Sequence, residues 1–545
     1  MAIKANIVDI HNEQIFYGSL SLENGKIATI TKLQETPKAG EPYIMPGFVD
    51  SHIHIESTLM MPSRFAPLAL RQGTLAAVCD PHEIANVLGE EGIDLMVEDG
   101  TKSPFHFHFM VPSCVPSTSF ETAGATLDAT AVRRLLQRDD MGGLAEMMNA
   151  PGVLFSDSEV MAKIGASAAV NKPIDGHAPG LHGDQARQYV QAGISTDHEC
   201  TTIEEAEERI SLGMKILIRE GSAACDFENL SPLLANHKEM LMFCTDDKYA
   251  DELLCGHINE IAARAVAKGL PLWNILRAAC VTPVRHYGIK QGLLQEGDNA
   301  DFIIVNNLKD FAVQESWIEG KKVYSPEIEQ AAFAPLSLSN NFKAEIINPQ
   351  SLQIPAKEGA IKVMCAEEGS LLTRCEKMAP RIENGLVTPD IKRDILKIVV
   401  LNRYEAHAQP AVGFIKGFHL KKGALASTIA HDSHNIVAIG CDDASITLAI
   451  NSLIEKKGGL AVTDGENLET LALPIAGLMS DQEGTIVGAQ HQLLKKKAHE
   501  IGCPFAAPFM TMAFMALPVI PELKITDRGL FDGIAFKFTQ LFNKE

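Results

Sequence analysis

Apolar and polar positions alternate through the first 45 residues, and turn-forming residues interrupt the alternation. Residues 5–10, 13–18, 19–25 and 26–30 read as short strands, with Asn24-Gly25 as a hairpin turn. The same pattern returns after residue 290, at 297–305 and 313–324. Between these flanks, short apolar runs alternate with stretches of helical period, which specifies parallel strands joined by helices. Eight runs qualify: 48–54, 74–80, 105–112, 144–149, 173–178, 194–199, 214–219 and 241–246. Eight strands over residues 46–290 predict an α/β fold of (β/α)8 TIM-barrel type, since the length suits such a barrel. Residues 1–45 plus 291–335 are expected to assemble into one small β-sandwich from both sides of the barrel. Two independent β modules are the alternative. Residues 340–545 form a third, α+β region, with strands expected at 398–401, 436–439 and 460–463 and helices at 443–456 and 490–501.

Three domains suit a chain of 545 residues, and 46% hydrophobic against 21% charged content supplies large cores. The net charge of −21, from 48 Lys and Arg against 69 Asp and Glu, argues against nucleic acid or an anionic membrane as partner. The longest nearly apolar run, 505–520, contains two prolines and a threonine and is too short to span a bilayer, so it is read as buried. Residues 1–6 carry no apolar signal region. Eleven cysteines are scattered without a C-x-x-C pair, which points to reduced thiols and a cytoplasmic setting.

The polar residues change the picture where they interrupt apolar runs. His52 and His54 end the first barrel strand one residue apart, so both imidazoles share a face and can meet one cation. Two such histidines alone are equally well surface residues. The other strand ends weigh against that reading. Asp80, His82 and Glu83 follow the second strand, Glu146 lies on the fourth, His177 ends the fifth, His198 the sixth and Asp246 the eighth. Active residues of such barrels gather at the carboxyl ends of the strands. Four histidines and two carboxylates, namely His52, His54, His177, His198, Glu146 and Asp246, exceed the usual protein ligands of one ion. Glu146 is placed to bridge two ions, with His52, His54 and Asp246 on one and His177 and His198 on the other. Two ions lower the pKa of a shared water, and Asp246 is positioned to take its proton and pass it to a leaving group. A single-metal site with the remaining groups in acid–base roles is the alternative. Strand alternation turns Asp247 away from Asp246, toward a bracing role. His431 and His434 follow no strand, and are read as a hydrogen-bonded turn or a segment closing over the barrel mouth.

Several stretches together resemble the adenine deaminase family of the amidohydrolase superfamily. They are Pro-Gly-Phe-Val-Asp-Ser-His-Ile-His ending at His54, Cys-Asp-Pro-His-Glu-Ile-Ala-Asn-Val from Cys79, Gly-Leu-Ala-Glu-Met-Met-Asn from Gly143, Asp-Gly-His-Ala-Pro from Asp175, Cys-Thr-Asp-Asp from Cys244, and 490–517. The resemblance spans essentially the whole chain. It implies hydrolysis of adenine to hypoxanthine and ammonia in purine salvage, at a centre of two divalent ions, Mn2+ first, Fe2+ next and Zn2+ last. Asp80, His82 and Glu83 are then assigned to the purine, with His82 and Glu83 alternatively orienting a metal ligand, and Asp246, Glu146 and Glu83 to catalysis. A homo-oligomer, taken as a dimer, is expected. The alternatives are another C–N hydrolase such as a cyclic amidase, and a non-enzymatic scaffold. Cyclic amidases commonly bridge their metals through a carboxylated lysine on strand four, where this chain carries Glu146. A scaffold would have lost ligands that are all present here.

Overall fold

In a computed structural model, which describes residues 2–328 and 334–542, the chain opens with β1 (Ala2–Asp9), β2 (Gln14–Glu23), β3 (Lys26–Gln34) and β4 (Tyr43–Met45). Positions 329–333 of the expected second flank, position 1, and 543–545 of the expected C-terminal region lie outside the described residues. The runs at 13–18 and 19–25 are one strand, β2. Gly18 lies inside it: a Cβ there would lie 2.7 Å from Ile7 Cδ1 and 2.9 Å from the Thr31 carbonyl, so glycine serves close approach of three strands. Asn24 and Gly25 have φ of 52° and 78°, as a primed hairpin turn requires.

The eight middle strands are β5 (Phe48–Ile53), β6 (Thr74–Cys79), β7 (His106–Phe109), β8 (Leu144–Met147), β9 (Ile174–Gly176), β10 (Thr196–Asp197), β11 (Lys215–Arg219) and β12 (Leu241–Cys244). Each is followed by at least one helix. β5–β6–β7, β8–β9 and β10–β11–β12 pair in parallel. A parallel bridge between Val111 and Leu144 joins β7 to β8, and Ser195 N–H donates to the Ile174 carbonyl (2.9 Å) between β9 and β10. Ile53 bridges Asp246 in parallel, so the strands close into a ring. Period two then separates inside from outside. Ala76, Val78, Leu217, Met242 and Cys244 fill the ring, while Leu75, Ala77 and Phe243 pack outward in the larger core.

β13 (Phe302–Val305), β14 (Val313–Ile318) and β15 (Lys321–Tyr324) return to the first flank. β4 pairs in parallel with β1 and antiparallel with β13, which produces one seven-stranded sheet in the order β15-β14-β13-β4-β1-β2-β3. Its core draws on both flanks, including Ile7, Phe16, Leu20, Phe302 and Trp317. The expected sandwich therefore takes the form of a single sheet around a shared core.

After residue 340, eight strands form a mixed sheet that includes Leu396–Leu401, Ile436–Gly440 and Gly459–Thr463. The helix Asp443–Lys456 has the expected limits because both ends are capped. Asp442 accepts from Ser445 N–H (2.7 Å) at the start, and Lys457 takes a left-handed conformation at the end. The helix Gly484–Glu500 begins six residues before the expected 490–501 and docks on the ring, where His491 Nδ1 lies 2.8 Å from Asp251 Oδ1. The apolar run 505–520 is largely buried and contains the helix Pro508–Ala513. Among the described residues, no helix is long and apolar enough to cross a membrane.

Candidate active site

His52 and His54 sit on the same side of the end of β5, while Ile53 between them points into the surrounding core. His54 Nδ1 donates to the Asp80 carbonyl (3.0 Å), which turns Nε2 toward Asp246 Oδ1 at 3.1 Å and Glu146 Oε1 at 3.5 Å. His52 stacks on His198 with ring centroids 4.3 Å apart, and its Nε2 lies 3.4 Å from Asp246 Oδ1. Beneath them Asp50 is buried, accepting from Thr245 N–H (3.1 Å) and contacting His257 Nε2 (2.8 Å), which ties β12 to β5.

Glu146 faces two histidine groups at once. Its Oε2 lies 2.8 Å from His177 Nδ1 and 3.2 Å from His198 Nε2, and its Oε1 is 3.4 Å from His82 Nδ1. Burial alone would raise its pKa, but the imidazoles of His177 and His198 hold it well below the usual carboxylate range. Asp246 is likewise held well below its ordinary value against burial, by the His52 and His54 imidazoles beside it. All six residues expected to bind metal thus converge.

The donor set fits divalent ions. His52 Nε2 and His198 Nε2 are buried without a hydrogen bond, although each lies 3.2–3.4 Å from a carboxylate oxygen. Two donors sharing one ion at about 2.1 Å each stand roughly 3.0–3.4 Å apart. Overlapping groups of this spacing are His52, His54 and Asp246; His52, Glu146 and His198; and His177, His198 and Glu199.

The residues expected at the purine are present as well. His82 Nδ1 lies 3.0 Å from Asp80 Oδ2, and His82 Nε2 lies 3.5 Å from Glu83 Oε1. His82 and Glu83 line the cavity with the metal-type ligands. Asp247 does too, and there the strand argument does not apply. β12 ends at Cys244 and Asp246 has φ of 54°, so alternation no longer separates the two aspartates. Asp247 instead accepts from Ser57 Oγ at 2.5 Å.

Sequence reasoning passed over Glu199, Arg219 and the apolar wall. Arg219 ends β11, fully buried, with Nη1 on Glu199 and 3.0 Å from Asp246 Oδ2, and Nε 3.2 Å from Asp226 Oδ2. Its place at a strand's carboxyl end was the available signal. The wall comes from the C-terminal region, through Leu371, Met510, Phe514 and Leu517; the last three lie in the apolar run 505–520, which reads as buried but not as part of the site. Of the segment read as a hydrogen-bonded turn or as a closure of the mouth, His431 and Asp432 line the cavity, and His431 and His434 both lie against Glu83.

Residues 43–323 match the Amidohydrolase family, and residues 370–537 match the Adenine deaminase C-terminal domain. The chain is 48% identical to the adenine deaminase of Methanosarcina mazei over 99% of both chains. It is 46% identical to that of Salinibacter ruber, again over 99% of both. Among solved structures, a β-aspartyl dipeptidase from Fervidobacterium islandicum AW-1 superposes with a TM-score of 0.47 at 14% identity, covering 61% of this chain and all of that one.

Proposed function

The chain belongs to the adenine deaminase family of amidohydrolases, and on that premise we propose that it hydrolyses adenine to hypoxanthine and ammonia at the site built on β5–β12. The observation that carries this is identity near one half along 99% of both chains with relatives named for that activity. We read the closed ring and its helices as a (β/α)8 barrel, supported by the β12-to-β5 closure. The ranges 1–45 plus 291–335, 46–290 and 340–545 serve as domain limits, supported by the separate sheets. Purine salvage in the cytoplasm is the setting, supported by eleven free cysteines.

We assign two divalent ions, Mn2+ or Fe2+ ahead of Zn2+, because the cluster offers imidazole and carboxylate donors without a thiolate. When bound, the ions supply Lewis acidity that brings the pKa of a water toward neutrality and stabilises developing charge. Glu146, with Oε1 toward His54 and Oε2 toward His177 and His198, would help hold both ions. Replacing an amino group at a ring carbon requires a proton removed from water and a proton delivered to the departing nitrogen. Asp246 performs both transfers, with Arg219 fixing its second oxygen. His82 and Glu83 orient the ring, Asp80 acts through its 3.0 Å contact with His82 rather than from the cavity wall, and Met510, Phe514 and Leu517 shield the ring from solvent.

Ammonia and hypoxanthine release should be measured with adenine, adenosine and dihydrouracil on one metal-loaded preparation. Turnover favouring free adenine by orders of magnitude is expected. Equal rates on adenosine, or turnover only of dihydrouracil, would reject the assignment.

A further inference from the structure

We propose that the region after residue 340 completes the catalytic site, with His431 and His434 as positioning residues that hold the Glu83 carboxylate toward the substrate. The inference rests on the reading of Glu83 as a substrate-facing catalytic group.

Glu83 lies in the first turn of the helix His82–Leu88, directly after β6. Within the barrel its close ionisable neighbour is His82, at 3.5 Å. The others come from the segment joining two strands of the C-terminal sheet, which also brings the Asp432 carboxylate within 4.8 Å of the Glu83 carboxylate. His431 Nδ1 lies 2.8 Å from Glu83 Oε1, and His434 Nε2 meets Glu83 Oε2. Glu83, His431 and His434 are each at most 2% exposed. A buried carboxylate without such partners is costly to keep ionised.

The direction of the His434 contact follows from its other nitrogen. His434 Nδ1 accepts from Ala430 N–H (3.4 Å), so in the neutral ring the proton sits on Nε2, the nitrogen that lies against Glu83 Oε2. Burial pulls His434 down to about 4, which keeps that ring neutral at physiological pH. The pair is braced from behind. The His431 ring stacks on Phe514 with centroids 4.4 Å apart, and the Phe514 carbonyl accepts from buried Lys524 Nζ at 3.0 Å. A carboxylate offers about four acceptor positions. Each oxygen lies against one C-terminal histidine, which leaves acceptor positions for a molecule in the cavity that Glu83 lines.

The test compares wild type, Glu83→Gln, His434→Ala, His434→Gln, His431→Asn and the double variant Glu83→Gln/His434→Ala, all full length and metal-loaded. A glutamine amide nitrogen reaches where Nε2 sits, and an asparagine nitrogen where Nδ1 sits. His434→Ala should lose on the order of 10²-fold in kcat, with KM, metal content and melting temperature near wild type. His434→Gln and His431→Asn should recover most of the rate. The double variant should be no slower than Glu83→Gln alone, because one removes what the other positions. Wild-type kcat in His434→Ala, or a loss that multiplies with Glu83→Gln or follows metal content, would overturn the inference. Full activity in Glu83→Gln would instead overturn the role of Glu83 on which it rests. Should His434→Ala fail to fold, His434→Gln against the shorter His434→Asn carries the same comparison. Gln active with Asn impaired supports the proposal, and equal rates overturn it.

Discussion

Arg219→Met keeps the length of the side chain and removes its charge from the middle of three carboxylates. Arg219 contacts Glu199 and lies 3.2 Å from Asp226 Oδ2 and 3.0 Å from Asp246 Oδ2. At an effective dielectric of about 20, one such contact near 3 Å is worth roughly 5 kcal/mol of gross Coulomb energy. Desolvation of the guanidinium offsets much of this, and removing one partner from a buried pair costs about 3–5 kcal/mol. Bound cations compensate Glu199 and Asp246 in part, whereas Asp226 does not line the cavity and loses its counter-charge outright. The cost should therefore be larger in metal-stripped than in metal-loaded protein. Urea denaturation of both forms reads it. Catalysis should suffer separately, because Asp246 loses the contact that fixes Oδ2, and a misplaced acid–base group costs about 10²-fold or more. Arg219→Lys returns the charge without the planar fork, so it should recover stability better than rate. An Arg219→Met enzyme within threefold of wild-type kcat, with unchanged urea midpoints in both forms, would refute the placement of Arg219 on Asp246.

Glu146→Gln should lower metal affinity by about 10²-fold or more, and bicarbonate during metal reconstitution should not change wild-type activity; a bicarbonate requirement would refute a direct carboxylate bridge. At matched metal content Asp246→Asn should lose up to about 10⁴-fold in rate and Asp247→Asn less, since Asp247 is held by Ser57; the reverse order in steady-state assays would refute the assignment of Asp246 as the proton carrier. Lys524 is buried and pulled down to about 7, so the folded state binds fewer protons there than the unfolded chain. Its contribution to stability therefore rises with pH from about 7 toward the ordinary lysine value near 10.5, by at most about 1.4 kcal/mol per pH unit. Denaturation of Lys524→Met across that range should show a flatter profile than wild type, and parallel profiles would count against the shift.

Local period carried much of this protein. Each of the eight apolar runs of the middle region contains a strand, because alternation and run length are properties of neighbouring residues. The same period put His52 and His54 on one face, and the rule that barrel chemistry gathers at strand ends brought Glu146, His177, His198 and Asp246 to them. Where a strand stopped, the period stopped being a guide. Asp247 shares the cavity with Asp246 because Asp246 itself is left-handed, and the runs 13–18 and 19–25, which read as two strands, are one strand through Gly18. Tertiary structure alone decided the rest. Arg219 matters through three carboxylates on other segments, and Glu83 through two histidines from a different sheet. Those partners are matched by shape and charge across a packed interface between distant parts of the chain, and no local spacing encodes such a match.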